Sequence, residues 1–167
     1  MGVLSKEIQI IQNPALGAMI LKCFTEGYIS SEKEDSLPFP LLFIVLPMVF
    51  HNDTLSYLNS TRRPSGLRAL VNKMSDSKES KRDIVLDIHE RADKMKKLTL
   101  DALRIALATE LLELDSKQAK VKVSHKRIDK SAIIKSNSKM FKSSEKLGFW
   151  CSQLNMQEIS MILKVGF

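Results

Sequence analysis

Regular patterning opens at "NPALGAMILKCFTEGY". There Leu16, Met19, Ile20, Cys23, Phe24 and Tyr28 recur every three or four residues on one helical face. Asn13 offers a side-chain acceptor at the N-cap, and Pro14 suits the first helical position, where its missing N–H loses no bond. An amphipathic helix ending near Gly27 is predicted, followed by a loop through "SSEKEDS". "LPFPLLFIVLPMVF", residues 37 to 50, then breaks the alternation with fourteen residues and no charge. A helix that is apolar all round needs cover over most of its surface, and Pro47 should kink it or end it near Leu46. Crossing a bilayer takes roughly 20 apolar residues, more than this stretch provides. It is therefore expected as a core helix or as a surface for a partner.

The second half alternates differently. "HNDTLSYLNSTRRPSG" reads as a cap at Asn52 or Asp53, a short helix and a loop, and Ser65 can cap a helix through "GLRALVNKM". "SDSKESK" is a polar linker. From Arg82, Ile84, Ile88, Ala92, Met95 and Leu98 form the stripe of a long amphipathic helix, and Leu103, Leu107 and Leu111 mark another. "LLEL" and "VKVS" are short strand-like pieces around a polar turn. A helix with Met140, Phe141, Leu147 and Trp150 follows. Asn155 and Glu158, three residues apart, form a capping-box pattern before the last helix, "MQEISMILK". The fold class expected is mainly α with a small β-hairpin. One domain, 1–167, is expected, with a helical N-terminal part (1–76) and a winged-helix-like second half (77–167).

Charge adds direction to this picture. Residues 1–60 hold three Lys against six Asp or Glu, while 61–167 hold 23 basic against 13 acidic residues. Between Lys117 and Lys146, ten Lys or Arg face only Asp129 and Glu145. Such a field attracts phosphates or an acidic partner. Lys117, Lys120, Lys122, Lys126, Arg127 and Lys130, on and after the hairpin, are the candidate DNA contacts. No aromatics are interleaved with them, which weakens any stacking-based RNA or single-strand reading.

Candidates for catalysis are few. His51, His89 and His125 stand apart, without HExxH or metal-triad spacing, and Cys23 and Cys151 form no CxxC. GxxxxGK[ST], GxGxxG and GxSxG are all missing from the sequence. A non-enzyme without cofactor or metal is expected. Met1 to Lys6 followed by "EIQIIQNP" lacks a long apolar h-region, so a cytoplasmic protein with no membrane segment is expected.

Four segments in order, "NPALGAMILKCFTEGY", "PFPLLFIVLPMVFHNDT", "ALRIALATELLELD" and "GFWCSQLNMQEISMILKVGF", resemble the middle component of bacterial three-component ABC ATPase systems. The Lamassu anti-phage and anti-plasmid defence systems belong to that group. The likeness covers most of the chain, and its first two motifs are the distinctive ones. It implies a small accessory subunit that bridges an ABC ATPase of the structural-maintenance-of-chromosomes (SMC) type and an effector, often a nuclease. That subunit would help keep the effector inactive until foreign DNA is sensed. By position the resemblance marks Asn13, Pro14, Gly17, Pro40, Pro47, His51 and Asp53 as motif residues, none of them catalytic. The candidate protein interface is Asn13, Pro14, Pro40, Phe43, Pro47, Phe50, His51 and Asp53. Partners expected are the ATPase, the effector and double-stranded DNA as a direct contact. The alternative is a free-standing winged-helix DNA-binding regulator. "LDALRIALATELL", the helix before the hairpin, argues against it, because it offers Arg104 and little else suited to reading bases.

Overall fold

Asn13 accepts from the N–H of Ala15 at 2.9 Å and opens the first helix of the computed structural model, which describes residues 13–76, 84–125 and 134–167. In chain order the described elements begin with α1 (Pro14–Ile29), β1 (Leu37–Pro38), a 3-10 turn (Phe39–Leu41) and α2 (Leu42–Val49). Next come α3 (Asn52–Ser60), a second 3-10 turn (Arg63–Ser65), α4 (Gly66–Ser75), α5 (Ile84–Lys94) and α6 (Lys96–Ala108). The hairpin β2 (Leu112–Asp115) and β3 (Lys120–Val123) leads to α7 (Ile134–Ser152) and α8 (Met156–Leu163). The protein is mainly α-helical with a small antiparallel sheet, as the patterning predicts.

The central element is α1. Its predicted stripe is buried or half-buried, but Ala18, Leu21, Lys22 and Thr25 on its other sides are buried too. Lys22 is accommodated by pairing with Glu26 one turn on. Two helices enclose α1, with α7 crossing it on one side and α6 on another. Both contacts depend on small residues. A Cβ on Gly27 would lie 1.8 Å from the carbonyl oxygen of Glu145, and one on Gly148 2.0 Å from that of Phe24. Gly27 therefore does not end α1, which runs on to Ile29, and instead admits the backbone of α7. A Cβ on Gly17 would meet that of Ala102 at 2.9 Å, which brings α6 equally near.

The same approach explains why α6 buries Thr99, Ala102, Leu103 and Ala106 rather than a Leu103, Leu107, Leu111 stripe. Leu111 is buried just beyond that helix, ahead of β2. The stripe from Ile84 to Leu98 is also not one helix. The backbone turns at Met95 (φ −98°, ψ 6°) and separates α5 from α6.

The uncharged stretch is largely core. Leu41, Leu42, Val45, Leu46, Met48 and Val49 are fully buried. Pro47 sits inside α2 without ending it, because the helix starts only at Leu42 and Pro47 deletes a single bond, to the carbonyl of Phe43. The stretch also begins a strand. All pairings in the sheet are antiparallel in the order β1-β3-β2, with Leu37 opposite Val121 and Leu114 opposite Val121 on the other side. Phe39 N–H then donates to the carbonyl of Ala119 at 2.8 Å, fastening the start of α2 to the hairpin turn.

Caps were partly legible. Asn155 and Glu158 form the reciprocal capping box, with both bonds at 2.9 Å. At "HND" the N-cap is His51, not Asn52 or Asp53, which lie in the first turn of α3, where Asp53 opposes the helix dipole favourably. No single described helix is long and apolar enough to cross a membrane.

Candidate protein interface

Phe39, Pro40 and Phe43 are half-buried members of the uncharged stretch, and they lie together. The Phe39 and Phe43 rings meet edge to face with centroids 5.5 Å apart, a favourable aromatic geometry. They form one wall of a cleft of about 370 Å³. His89, Ala92 and Asp93 of α5, Lys96 and Leu100 of α6, and the C-terminal Val165, Gly166 and Phe167 complete it. Leu100 is 45% exposed and Phe167 47%, so bulky apolar groups face water at its rim. Leu86, 53% exposed, lies three residues before His89 on the same side of α5. Isolated exposed apolar residues are ordinary, but their grouping beside an apolar cleft marks a binding surface.

The polar groups of the cleft are occupied with one another. Lys96 Nζ donates to Asp93 Oδ1 at 2.8 Å, and this hydrogen bond holds the Asp93 carboxyl below the usual carboxylate range. His89 Nε2 lies 3.6 Å from Asp93 Oδ2, and Gly166 N–H points at His89 Nδ1 from 3.4 Å.

Over residues 1–167 the chain matches the family described as ABC-three component (ABC-3C) system Middle Component 3. The chain belongs to this family. No match was found among curated proteins or among solved structures.

In this middle component the eight candidate interface residues do not form one patch. Pro40 and Phe43 line the cleft, while Pro47 and Phe50 are buried. Asn13 is exposed but capping α1, and Pro14 is half-buried beside it. His51 and Asp53 belong to a separate polar knot at the start of α3. The Thr54 hydroxyl accepts from Arg91 Nη2 at 3.1 Å and shares a hydrogen bond with His51 Nδ1, also at 3.1 Å. Burial, then the nearby Arg91 charge, lowers the His51 pKa, which favours the neutral imidazole. The knot ties α5 to α3, with the Thr54 hydroxyl buried inside it.

The candidate DNA contacts meet a different surface. Lys120 and Lys122 point to one face of β3, opposite Asp115 and Glu113 of β2. The loop before β1 supplies two more carboxylates, with Lys122 Nζ 3.1 Å from Asp35 and Lys120 Nζ 3.7 Å from Glu34. The Lys122 hydrogen bond holds the Asp35 carboxyl low. Each ammonium group thus has a carboxylate partner from the loop before β1. Lys117 sits in the turn, its backbone N–H held by Asp115 Oδ1 at 2.9 Å. Lys126, Arg127 and Lys130 lie outside the described residues. Among the described residues no three His, Cys, Asp or Glu are grouped to hold a metal. The Cys151 thiol is pushed up to about 12 by burial, so it is not a nucleophile in the folded chain.

Patterning missed Leu100, Phe167 and His89 as cleft residues. The one signal available was Leu100, an apolar residue off the buried stripe of α6.

Proposed function

We propose that this middle component is the non-enzymatic bridge of its complex, seating a partner component in the cleft of Phe39, Phe43, Leu100 and Phe167. In this reading it joins an SMC-type ATPase to an effector, a nuclease in a Lamassu-like defence system. The effector stays inactive until the ATPase senses foreign DNA. The observation that carries the reading is the cleft itself, because apolar groups left exposed around an apolar hollow are covered in stable assemblies.

Its test is co-expression of the three components with Phe43→Asp. Phe43 borders the cleft, so the new carboxylate reaches water in the free chain and is buried unpaired in the complex. The circular dichroism of the isolated variant is expected to match the parent, while assembly weakens by about 3 kcal/mol, on the order of a hundredfold. A folded variant that assembles like the parent would refute the assignment.

DNA recognition is placed on another component. A cation earns affinity for duplex DNA by releasing counterions from phosphate, and Lys120 and Lys122 are already paired with Glu34 and Asp35. Lys120→Gln with Lys122→Gln is expected to change DNA retention by the assembled complex less than about twofold, with the same salt slope. A tenfold loss with a shallower slope, on the order of one phosphate contact per lysine, would return DNA to the hairpin and favour the winged-helix regulator.

A further inference from the structure

We propose that the occupant of the cleft is an amphipathic α-helix of a partner component, seated by a neutral apolar stripe. This rests on the reading of the cleft as the partner site and adds the chemistry of what fills it.

Backbone chemistry argues for a helix. An extended segment gains its affinity by pairing with a free strand edge, and the cleft has none. Its described walls are helical, namely α2, α5, α6 and a 3-10 turn whose Phe39 N–H is taken by Ala119. Apart from the Phe43 carbonyl freed by Pro47, they offer no extended run of backbone groups to pair with. In the C-terminal wall, Val165 N–H donates to Ser160 and Gly166 N–H points at His89. A segment entering this cleft must bring its own backbone bonds already made, which a helix does.

Charge specifies the stripe. Glu90, Asp93 and Asp101 along the α5 and α6 wall are paired with Lys94, Lys96, Lys97 and Arg104 through i,i+3 and i,i+4 contacts. The wall is electrically self-contained, so it offers a charged ligand little steering. What it leaves unsatisfied is apolar. Leu100 and Phe167 are exposed beside Phe39, Phe43 and Val165, and Leu86 is exposed on α5, three residues before His89 of the lining. An incoming helix meets these with bulky apolar residues at three- and four-residue spacing.

The experiment uses the full chain co-expressed with the other components of its system. Photo-reactive benzoylphenylalanine replaces Leu86, Leu100 or Phe167, and the adducts of the assembled complex are mapped after irradiation. Adducts on one partner component, spaced three and four residues apart, are expected. Leu100→Asp is expected to weaken that assembly at least about tenfold without altering the fold. Parent affinity should change less than about threefold between about 50 mM and about 200 mM salt, where phosphate-dominated binding falls by orders of magnitude. Adducts spaced by two residues, adducts on a second copy of this chain, or an assembled complex without adducts each overturn the helix. Failure of the parent chain to assemble at all overturns the bridging reading and the helix with it.

Discussion

Gly148→Ala and Gly27→Ala are each expected to destabilise the chain by at least about 3 kcal/mol, a large share of the 5–15 kcal/mol typical of a domain. The sign is not obvious in advance, since Gly to Ala inside a helix ordinarily gains about 1 kcal/mol. Here the added methyl meets backbone, 2.0 Å from the Phe24 oxygen at Gly148 and 1.8 Å from the Glu145 oxygen at Gly27. A flexible side chain could swing aside, but a carbonyl held in a helix cannot. Relief requires α1 and α7 to move apart, which loosens the packing of Phe24, Tyr28 and Leu147 around the crossing. Because the two sites share one crossing, the double variant should lose clearly less than the sum of the singles. Gly66 provides the control, with nothing within 4 Å of a Cβ and φ of 82°. Gly66→Ala should cost only the strain of a backbone conformation, φ 82° and ψ 176°, that essentially glycine alone adopts, about 1–3 kcal/mol. Urea unfolding followed by the fluorescence of the single Trp measures all four. If either helical Ala variant is as stable as the parent, the helices do not cross on glycine.

This crossing shows what a sequence reading can and cannot reach. The α1 stripe was legible because it repeats at 3.6 residues, and the capping box at Asn155 was legible because its partners are three residues apart. Gly27 looked like a helix end because a stop signal and a close-packing glycine are the same residue. Only the presence of α7, more than a hundred positions on, separates the two. Similarly, β1 is two residues long and lies inside a stretch whose pattern predicts a helix, since nothing local shows that Val121 pairs with Leu37.

The candidate site was legible in composition but not in position. A stretch apolar all round carries no phase, so patterning could place 37–50 between core and partner without saying which side chains did which. The fold resolves this into a buried set around Leu42, Leu46 and Met48 and a cleft set of Phe39, Pro40 and Phe43. The basic hairpin was legible in its lysines but not in their surroundings. A count along the chain finds lysines after position 117, whereas the charge around Lys120 and Lys122 also includes Glu34 and Asp35, some eighty-five residues earlier. Electrostatic surfaces are sums over space, and a linear window omits what the fold brings back.

Trp150→Ala is expected to cost about 3–5 kcal/mol, the range for emptying a buried aromatic site. Trp150 is 1% exposed, and its indole N–H donates to the carbonyl of Arg63 at 2.7 Å. One turn earlier, Lys146 reaches the same region, donating to the carbonyl of Thr61 at 2.7 Å while its ammonium lies 5.5 Å from the indole centroid. Lys73 adds a bond to the carbonyl of Ser60 at 3.0 Å. Two cations thus complement the carbonyl end of α3, and Trp150 fixes the turn that follows it. Trp150→Phe separates the two contributions. It keeps most of the volume and loses the N–H, so the bond itself should account for about 1 kcal/mol. Both variants are followed by circular dichroism, since the fluorescent probe is gone. The cleft is lined by other elements, so Trp150→Phe, while folded, should assemble with partner components as the parent does. A loss of no more than about 1 kcal/mol for Trp150→Ala would show that this half of α7 does not clamp α3. A Trp150→Phe variant that folds but no longer assembles would move the partner surface from the cleft to the α3 and α7 side.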